Sequence, residues 1–245
     1  LPDMHIHAFS ALEVSQGAET LGLSIEDFLL RLKAAGLNSL PGTAAEILDD
    51  EVRGIICPDK INTQQWLNVI ETAHKVGIKT TSTIMFGHVE RPVHWARHLL
   101  YLRDLQQRTG GITEFVPLPF VPMEAPMYRR GLSRMGPTMR ESVLMHAVSR
   151  LVLHTLIDNI QVSWVKMGEQ GVVACLNAGA NDMGGTLMNE SISRAAGATH
   201  GQEMTVDAMA TLLDGMGRPA RQRTTFYGEV EAHPDQLIAY QSGLN

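Results

Sequence analysis

The 245-residue chain has an ordinary globular composition, with 44% hydrophobic residues, 19% charged residues and a formal net charge of −6. An acidic balance without basic clusters argues against a nucleic-acid backbone as the main partner, because such binding depends on neutralising phosphates with Lys and Arg. The apolar runs are too short to cross a bilayer. We therefore expect one domain that acts on small molecules, without nucleic acid or membrane as a partner.

The cysteine content is low and its spacing is uninformative for metal binding. Cys57 and Cys175 are far apart in the sequence, so they predict neither a disulfide framework nor a metal cluster of their own. Such usage is typical of a reducing, cytoplasmic setting. The chain begins at Leu1 and enters a predicted strand within a few residues, so we expect it to be a fragment.

The first elements are a strand and a capped helix. Alternation over Met4–Ser10 predicts a strand that places His5 and His7 on one face. Ser24 is a typical N-cap for the apolar helical pattern that follows, and Gly36 provides the stop. After a short strand over residues 37–40, the spacing of Thr and Glu in TAAE, residues 43–46, predicts a capping box and a further helix.

The central stretch, KTTSTIMFGHVE at residues 79–90, predicts a buried strand followed by a functional loop. Thr83 and Met85 share one face of the uncharged run. Gly87 permits a sharp turn or close approach to a ligand. His88 and Glu90 follow immediately, at the edge where parallel α/β folds bind ligands.

The remaining pattern continues the alternation of strands and helices. Gln161 and Ser163 share a face, opposite bulky neighbours, which is typical of a barrel strand. Six strand-helix units predict a parallel α/β sheet, that is, an incomplete (β/α) barrel of the TIM type with outer helices and two units missing. The predicted elements after residue 90 are a helix from Pro92 to Arg108, a strand from Ile112 to Leu118, a helix from Thr138 to Leu151, a strand from Asn159 to Val165, a helix from Glu169 to Asn177, a helix capped by Thr205 and an edge strand from Arg218 to Tyr227.

The His5–His7 pair permits a metal-dependent alternative. Amidohydrolase-like barrels carry a similar H-x-H pair on their first strand, where a divalent ion activates water for hydrolysis. A later His such as His88 and an Asp such as Asp182 would have to complete the ligand set. Histidines inside a barrel are also common as hydrogen-bonded core residues, so both interpretations stay open.

Long stretches of the chain resemble one enzyme family. They are HAFSALEV, SLPGTAAEILDDEVR, ICPDKI, TTSTIMFGHVE, HWARHLLYLRDLQQRTGG, TEFVPLPFVPMEAP, GANDMGGTLMNESISRAAGA and RQRTTFYGE. These stretches are similar to the radical S-adenosylmethionine (SAM) enzymes that build deazaflavin and menaquinone precursors. Among these enzymes the resemblance is strongest to the tyrosine-using half of the FO synthases, which make the deazaflavin precursor of coenzyme F(420).

The resemblance implies a barrel in which a [4Fe-4S] cluster cleaves SAM to a 5'-deoxyadenosyl radical. In the tyrosine-using branch, the radical leads to cleavage of the Cα–Cβ bond of L-tyrosine, and the 4-hydroxybenzyl group joins 5-amino-6-(D-ribitylamino)uracil. The menaquinone enzymes aminofutalosine synthase and dehypoxanthine futalosine cyclase share the scaffold and form the alternative. A partner radical SAM subunit or domain would complete FO synthesis.

The family's CxxxCxxC cluster loop has no counterpart here, so we expect its cysteines upstream of Leu1. Residues 1–217 would then form the barrel without its first strands, and residues 218–245 a C-terminal extension. Ser10 and Glu13 could equally cap a loop rather than bind the cofactor, and Glu46 could cap a helix. The resemblance and the strand parity together predict His5 and His7 as catalytic; Ser10, Glu13, Thr83, Met85, Gly87 and Glu90 as cofactor-binding; and His88, Gln161, Ser163, Asn181 and Asn189 as substrate-binding, with no separate metal ligands.

Overall fold

The computed structural model describes residues 4–187, 189, 191–197, 201 and 203–230. Strands and helices alternate through most of this part of the chain. The strands are β1 (Ser39–Leu40), β2 (Lys79–Phe86) and β3 (Ile112–Pro119). The helices are α1 (Ala11–Leu21), α2 (Ile25–Ala34), α3 (Asp50–Ile56), α4 (Thr63–Lys75), α5 (Pro92–Thr109), α6 (Pro126–Arg129), α7 (Met139–Leu153), α8 (Trp164–Asn177), α9 (Ile192–Ala195) and α10 (Val206–Gly215).

The sheet is parallel and follows the order of the chain. Strands β1, β2 and β3 are hydrogen-bonded neighbours. Single parallel bridges extend the series, from His7 to Ser39 on one side, and from Phe115 to Ile160 and Gln161 to Asp182 on the other. Six parallel segments therefore stand side by side among the described residues, as the alternating pattern predicted.

The core lies between the sheet and its outer helices. Phe86 at the end of β2 packs edge-on against Trp95 of α5, with ring centroids 5.7 Å apart. Trp66 of α4, Leu102 of α5 and Phe115 of β3 are fully buried in the same apolar cluster. One face of each strand is thus filled by helix side chains, which leaves the opposite face for polar groups.

The predicted helix starting at Thr43 is wrong. Residues 43–49 form turns, Ala44 and Glu46 adopt φ of 60° and 45°, and α3 begins only after Asp49, which caps it. The buried guanidinium of Arg53 donates to the carbonyl oxygen of Ala44 at 3.3 Å, together with other carbonyls of this segment. These carbonyl oxygens are therefore taken by a side chain rather than by helical N–H groups.

The predicted strand over Asn159–Val165 is shorter than expected. Only Ile160 and Gln161 form bridges, and α8 begins at Trp164. Gly168, at φ 60° and ψ 177°, breaks α8 into two parts, and the second part corresponds to the predicted helix that begins at Glu169. The kink explains why the sequence indicated only the later part.

The predicted edge strand over Arg218–Tyr227 is also wrong. This segment contains a turn at residues 225–227 and a single antiparallel bridge between Arg223 and Glu229. The structure describes the predicted C-terminal extension, residues 218–245, only as far as residue 230. None of the helices in the described ranges combines the length and apolar character needed to cross a bilayer.

Candidate functional site

The loop after β2 is organised by one buried carboxylate. Glu90 accepts hydrogen bonds from the backbone N–H of Gly87 at 2.5 Å and of His88 at 2.8 Å, and from Trp95 Nε1 at 2.9 Å. Its side chain is fully buried, with Arg134 Nη2 3.5 Å away. Burial raises the pKa of Glu90, but the hydrogen bonds from Gly87 N–H and Trp95 Nε1 oppose this effect, and the pKa lies below its usual value.

His88, predicted as substrate-binding, is used by its own loop. Its Nδ1 accepts from Val89 N–H at 2.8 Å, and its Nε2 lies 3.0 Å from the carbonyl oxygen of Met85. Burial lowers the pKa of His88, so the ring is neutral and Nε2 is the donor. The 3.1 Å contact with Glu90 is then a contact with a neutral ring rather than an ion pair. Both ring nitrogens of His88 therefore serve to shape the loop.

Gly87 has to be glycine at this turn. Its φ is 96°, and a Cβ placed there would lie 2.2 Å from Cδ of Pro137. The loop is thus pressed against the segment that precedes α7. The predicted close approach at Gly87 is real, and within the described residues the chain itself makes it.

The ion pair between Glu46 and Lys60 lies at the same edge of the sheet, and the sequence analysis, which considered Glu46 as a helix cap, missed it. Lys60 Nζ donates to Glu46 Oε1 at 2.6 Å, and the carbonyl oxygen of Glu46 accepts from Met85 N–H at 2.7 Å. Glu46 holds a left-handed φ of 45°, which a non-glycine residue adopts rarely and often at functional sites. Backbone strain at a residue other than glycine leaves no signal in the sequence.

A cavity of about 250 Å³ opens beyond the end of β3. Its wall is mostly apolar, and Ser142 and Lys166 add polar groups. Flat, largely apolar ligands suit such a space. The lining residues are Pro119, Phe120, Val121, Pro122, Met123, Met135, Gly136, Pro137, Met139, Ser142, Lys166 and Met167.

Thr83 is held against the turn that follows β1. Its Oγ1 donates to the carbonyl oxygen of Gly42 at 2.8 Å, and Thr81 Oγ1 accepts from Gly42 N–H at 2.8 Å. A Cβ on Gly42 would lie 2.3 Å from Cα of Ser82, so glycine is required for this close contact. Thr83 and Met85, both predicted to bind the cofactor, therefore belong to the same backbone junction as Glu46.

His5 and His7 meet, as strand parity predicted, but at the opposite end of the sheet. His5 Nε2 and His7 Nδ1 both lie 2.7 Å from Ser39 Oγ, and Ser39 pairs with Lys79, the first residue of β2. A hydroxyl donates one hydrogen, so it donates to one ring and accepts from the other. Burial lowers the pKa of both histidines, which favours their neutral forms. The sequence also predicts that both side chains lie near the C-terminal ends of the strands, and this prediction is wrong, because Ser39 pairs with the first residue of β2.

Ser10 and Glu13 begin a helix that the sequence analysis did not identify. Ser10 Oγ accepts from Glu13 N–H, and Glu13 Oε2 accepts from Ser10 N–H at 2.7 Å, which forms a capping box for α1. The hydroxyl of Ser10 also donates to Glu13 Oε2. The S-x-x-E spacing is the signal that could have identified α1.

The residues predicted to bind substrate are spread over the later segments. Gln161 lies on the inner side of the sheet, against Gly184, and Ser163 is buried at the N-cap of α8. Asn181 Oδ1 accepts from Arg150 Nη2 at 2.9 Å and from Ile160 N–H at 2.8 Å, so its oxygen is already engaged. Asn189 is exposed, and both of its neighbours lie outside the described residues.

The cysteines of this chain do not fit a [4Fe-4S] cluster. Cys57 ends α3 and Cys175 lies in α8, and both are buried. Burial raises the pKa of Cys175 to about 11 and also raises that of Cys57. A cluster is held by several converging thiolates, and burial disfavours the thiolate form here.

One side-chain group has the composition of a metal site, at the outer helices. Within the described ranges, Asp49, Glu51 and His94 place ligand atoms within 4.8 Å of one another. His94 Nδ1 accepts from Arg91 N–H, so Nε2 carries the proton in the neutral ring. Asp49 is engaged by Arg97 at 2.9 Å. One carboxylate of the group is therefore already paired with a cation, which disfavours a metal ion there.

Comparisons with known proteins agree with this architecture. Residues 10–102 match the radical SAM superfamily, and residues 109–236, just over half of the chain, match the family described as the CofH/MqnC C-terminal region. The solved structure of methylornithine synthase (PylB) aligns with a TM-score of 0.58 at 21% identity, over 86% of this chain and 63% of that one. At that identity the similarity concerns the fold alone.

Curated relatives are similar over nearly all of the chain. The FO synthase of Nocardia farcinica (strain IFM 10152) is 52% identical over 97% of this chain and 28% of its own length. The FO synthase of Streptomyces coelicolor (strain ATCC BAA-471 / A3(2) / M145) is 53% identical over 94% of the chain and 26% of its own length. In Methanocaldococcus jannaschii the relative is named 5-amino-6-(D-ribitylamino)uracil--L-tyrosine 4-hydroxyphenyl transferase, with 50% identity over 94% of this chain and 64% of its own length.

The chain spans about a quarter of the length of the FO synthases that it matches. The partial (β/α) barrel, the two matched regions and the relatives all agree. The chain belongs to the CofH/MqnC C-terminal region family, within the radical SAM superfamily.

Proposed function

We propose that the protein containing this chain transfers the 4-hydroxybenzyl group of L-tyrosine to 5-amino-6-(D-ribitylamino)uracil. One observation carries the proposal: half of the residues are identical, over 94% of this chain, to the M. jannaschii protein that bears this transferase name. The family description also covers a menaquinone-type branch, which makes aminofutalosine synthase or dehypoxanthine futalosine cyclase the alternative activity.

The proposal requires SAM and a [4Fe-4S] cluster, as radical SAM membership implies. When bound, they would supply a carbon radical that abstracts a hydrogen atom from tyrosine. The cluster cysteines would come from a CxxxCxxC loop upstream of Leu1, since Cys57 and Cys175 do not fit. Residues 1–217 would then be the larger part of one barrel and residues 218–245 its extension.

SAM would be held at the C-terminal ends of β1, β2 and β3. Met85 and Gly87 would lie against the cofactor, and the apolar cavity wall beyond β3 would cover a flat purine. The Glu46–Lys60 pair lies at the same edge and offers charged groups for an amino-acid moiety. Ser10, Glu13, Thr83 and Glu90 are the other residues predicted for the cofactor; Thr83 and Glu90 would act by fixing this edge.

The substrates would occupy the inner face of the sheet. Gln161 and Ser163 offer donors and acceptors for a uracil edge, and Asn181, Asn189 and His88 are the further residues predicted for substrate. Of the neutral pair His5 and His7, the ring that donates to Ser39 keeps its other nitrogen as an acceptor and would take a proton from tyrosine. A cavity closed to water suits such chemistry, because a radical must be kept from other hydrogen donors.

The test uses the full-length protein, purified without oxygen and supplied with SAM, a reductant, L-tyrosine and the ribityl-diaminouracil. The expected products are 5'-deoxyadenosine and a hydroxybenzyl adduct. Turnover of an aminofutalosine-type substrate, with none of tyrosine, would assign the menaquinone branch. Gln161→Ala should raise the KM for the diaminouracil, whereas Gln107→Ala, on the exposed side of α5, should leave it unchanged.

A further inference from the structure

The C-terminal turn, residues 223–229, is a closed loop that none of the roles above uses. Thr224 N–H donates to Gly228 O at 3.0 Å, Gly228 N–H donates to Thr224 Oγ1 at 2.9 Å, and Arg223 pairs antiparallel with Glu229. Tyr227 has a φ of 63°, a left-handed conformation that persists in a non-glycine residue where surrounding contacts fix it. The turn is therefore held in a defined shape.

Two side chains of the C-terminal turn bind carboxylates of the sheet. The hydroxyl of Tyr227 donates to Glu114 of β3. Arg223 binds Asp182 through two nitrogens, with Nη2 3.0 Å from Oδ1, and lies 3.6 Å from Glu114 Oε2. Its guanidinium is also 4.0 Å from the centre of the Tyr227 ring. One cation is thus shared by two carboxylates and covers the phenol.

A third side chain of the turn contacts the first parallel segment, at the opposite edge of the same inner face. The ring of Phe226 packs edge-on against His5, with centroids 4.7 Å apart, and lies 5.7 Å from Lys79 Nζ. His5 belongs to the first parallel segment, and Asp182 to the sixth. The C-terminal turn therefore spans the inner face from the first segment to the last described one.

The contacts of the C-terminal turn lie at the end of the sheet opposite the candidate site. Lys79 is the first residue of β2 and Glu114 the third of β3, whereas Gly87 follows the last residue of β2. The eight residue-to-residue steps from Lys79 to Gly87 correspond to roughly 26 Å of extended chain. The turn and the loop after β2 therefore mark the two ends of the same inner face.

The polar contacts of the turn are largely withdrawn from water, whereas Phe226 is 43% exposed. The side chains of Glu114, Asp182 and Arg223 are 14%, 9% and 27% exposed. Burial raises the pKa of Tyr227, which therefore keeps its proton and remains a donor. Two buried carboxylates repel each other unless a cation lies between them. Arg223 is thus required if Glu114 and Asp182 are to stay together.

We propose that the C-terminal turn is the floor of the substrate cavity, clamped to Glu114 and Asp182 by Tyr227 and Arg223, and that it closes the N-terminal end of the barrel to solvent. Arg223 and Tyr227 are positioning residues, which act through the carboxylates that they hold. The link to substrate rests on the proposed function. The closure itself is a physical property that can be measured without substrate.

The first experiment is hydrogen–deuterium exchange on the full-length protein. Arg223→Gln should raise the exchange of the amides of Gln161 and Val162, which donate to the Phe115 and Asp182 carbonyls next to the floor, by about tenfold. Tyr227→Phe keeps the ring and loses only the hydroxyl contact, so it should fold and show a smaller increase. If the amides of Gln161 and Val162 exchange at the wild-type rate in both variants, the proposal that the turn is the floor of the cavity is wrong.

Arg221→Gln is the matched control. Arg221 lies two residues before Arg223 and pairs with Glu229 on the surface, the two side chains being 76% and 82% exposed. Its loss should leave exchange on the inner face unchanged. An increase equal to that of Arg223→Gln would show a general loosening of the terminus and would overturn the specific clamp.

The second experiment measures coupling, as the ratio of 5'-deoxyadenosine to hydroxybenzyl adduct. The ratio should rise in Arg223→Gln and Tyr227→Phe and stay at the wild-type value in Arg221→Gln. Raised exchange with an unchanged ratio would overturn the link between floor and chemistry. If the wild type forms 5'-deoxyadenosine but no adduct, the proposed function fails. The exchange experiment alone then tests whether the turn closes the inner face.

Discussion

The two ends of the inner face are built in different ways. At the C-terminal end, Glu90 binds donors that lie two, three and five residues away, at His88, Gly87 and Trp95. At the N-terminal end, the residues in contact are distant in sequence: Tyr227 meets Glu114 across 113 residues. The hydrogen bonds of the buried Glu90 are therefore local, with Arg134 as a remote neighbour, whereas the other end is held by contacts between remote segments.

The difference matters because distant contacts carry a larger entropic cost of loop closure, which the completed fold must offset. Local contacts form with the segment itself. We therefore expect substitutions in the loop after β2 to act mainly on that loop and on overall stability. Substitutions in the C-terminal turn should act first on the closure of the inner face.

The largest expected effect is that of Glu90→Gln. The amide keeps the size of the side chain but removes the charge that two backbone N–H groups and Trp95 Nε1 bind, and it turns its own N–H₂ towards donors. We expect a loss of about 3 kcal/mol in the free energy of unfolding, measured by urea titration. Glu71→Gln, which loses ion pairs with Lys75 and Arg108 on the surface, is the control and should cost less than about 1 kcal/mol. Equal losses would contradict the central role of Glu90.

The next effect concerns Gly87. Gly87→Ala adds a Cβ at a φ of 96° and 2.2 Å from Pro137, so we expect a loss of about 2 kcal/mol in thermal or urea unfolding. Gly54→Ala in α3 is the matched control, because no atom lies within 4 Å of its added Cβ. The control should be neutral or should stabilise by up to about 1 kcal/mol, since Ala favours a helix. A neutral Gly87→Ala would show that the loop can move away from Pro137.

The same contrast explains how far the sequence could predict the molecule. The helix caps at Ser24 and Thr205 and the helix start at Thr138 were predicted, because each depends on residues within one helical turn. Parallel pairing of six segments followed from their alternation with helices. In both cases the decisive interactions are short-range or repeat along the chain.

The failures arise where a distant group decides the conformation. Arg53 takes carbonyl oxygens in the segment that was predicted to be a helix at residues 43–46. Strand parity determines which face of the sheet a side chain occupies, but it does not determine the position of the side chain along the strand. His5 and His7 were therefore predicted on the correct face and at the wrong end of the sheet. The contact of Tyr227 with Glu114 has no signal in either local pattern.

A pH-dependent effect tests the N-terminal end of the sheet. His74 lies between Thr109 Oγ1, at 2.7 Å, and Thr80 Oγ1, at 3.0 Å, and burial lowers its pKa to about 4. Above the unfolded value of about 6.5 both states are neutral. As the pH falls between about 6.5 and 4, the unfolded state gains the proton before the folded state does, so the free energy of unfolding decreases by up to about 1.4 kcal/mol per pH unit.

His74→Gln should remove that part of the slope, measured by urea unfolding between pH 7 and pH 4. His98, whose pKa burial lowers to about 3, should keep its own part of the slope in the variant. His154→Gln, at an exposed position after α7, is the control and should leave the slope unchanged. An unaltered slope in His74→Gln would mean that His74 can be protonated in the folded protein.

The smallest expected effect tests whether Ser10 only caps α1 or also binds the cofactor at the C-terminal end of the sheet. Ser10 caps α1 and Ser24 caps α2 in the same way, each accepting an N–H from an acidic residue three positions later, Glu13 or Asp27. Ser10→Ala and Ser24→Ala should therefore each cost about 1 kcal/mol in unfolding. Only Ser10 follows a parallel segment at the edge proposed for SAM, so only Ser10→Ala should weaken SAM binding in a titration of the full-length protein. Equal stability losses with unchanged SAM affinity in both variants would leave Ser10 with its capping role alone.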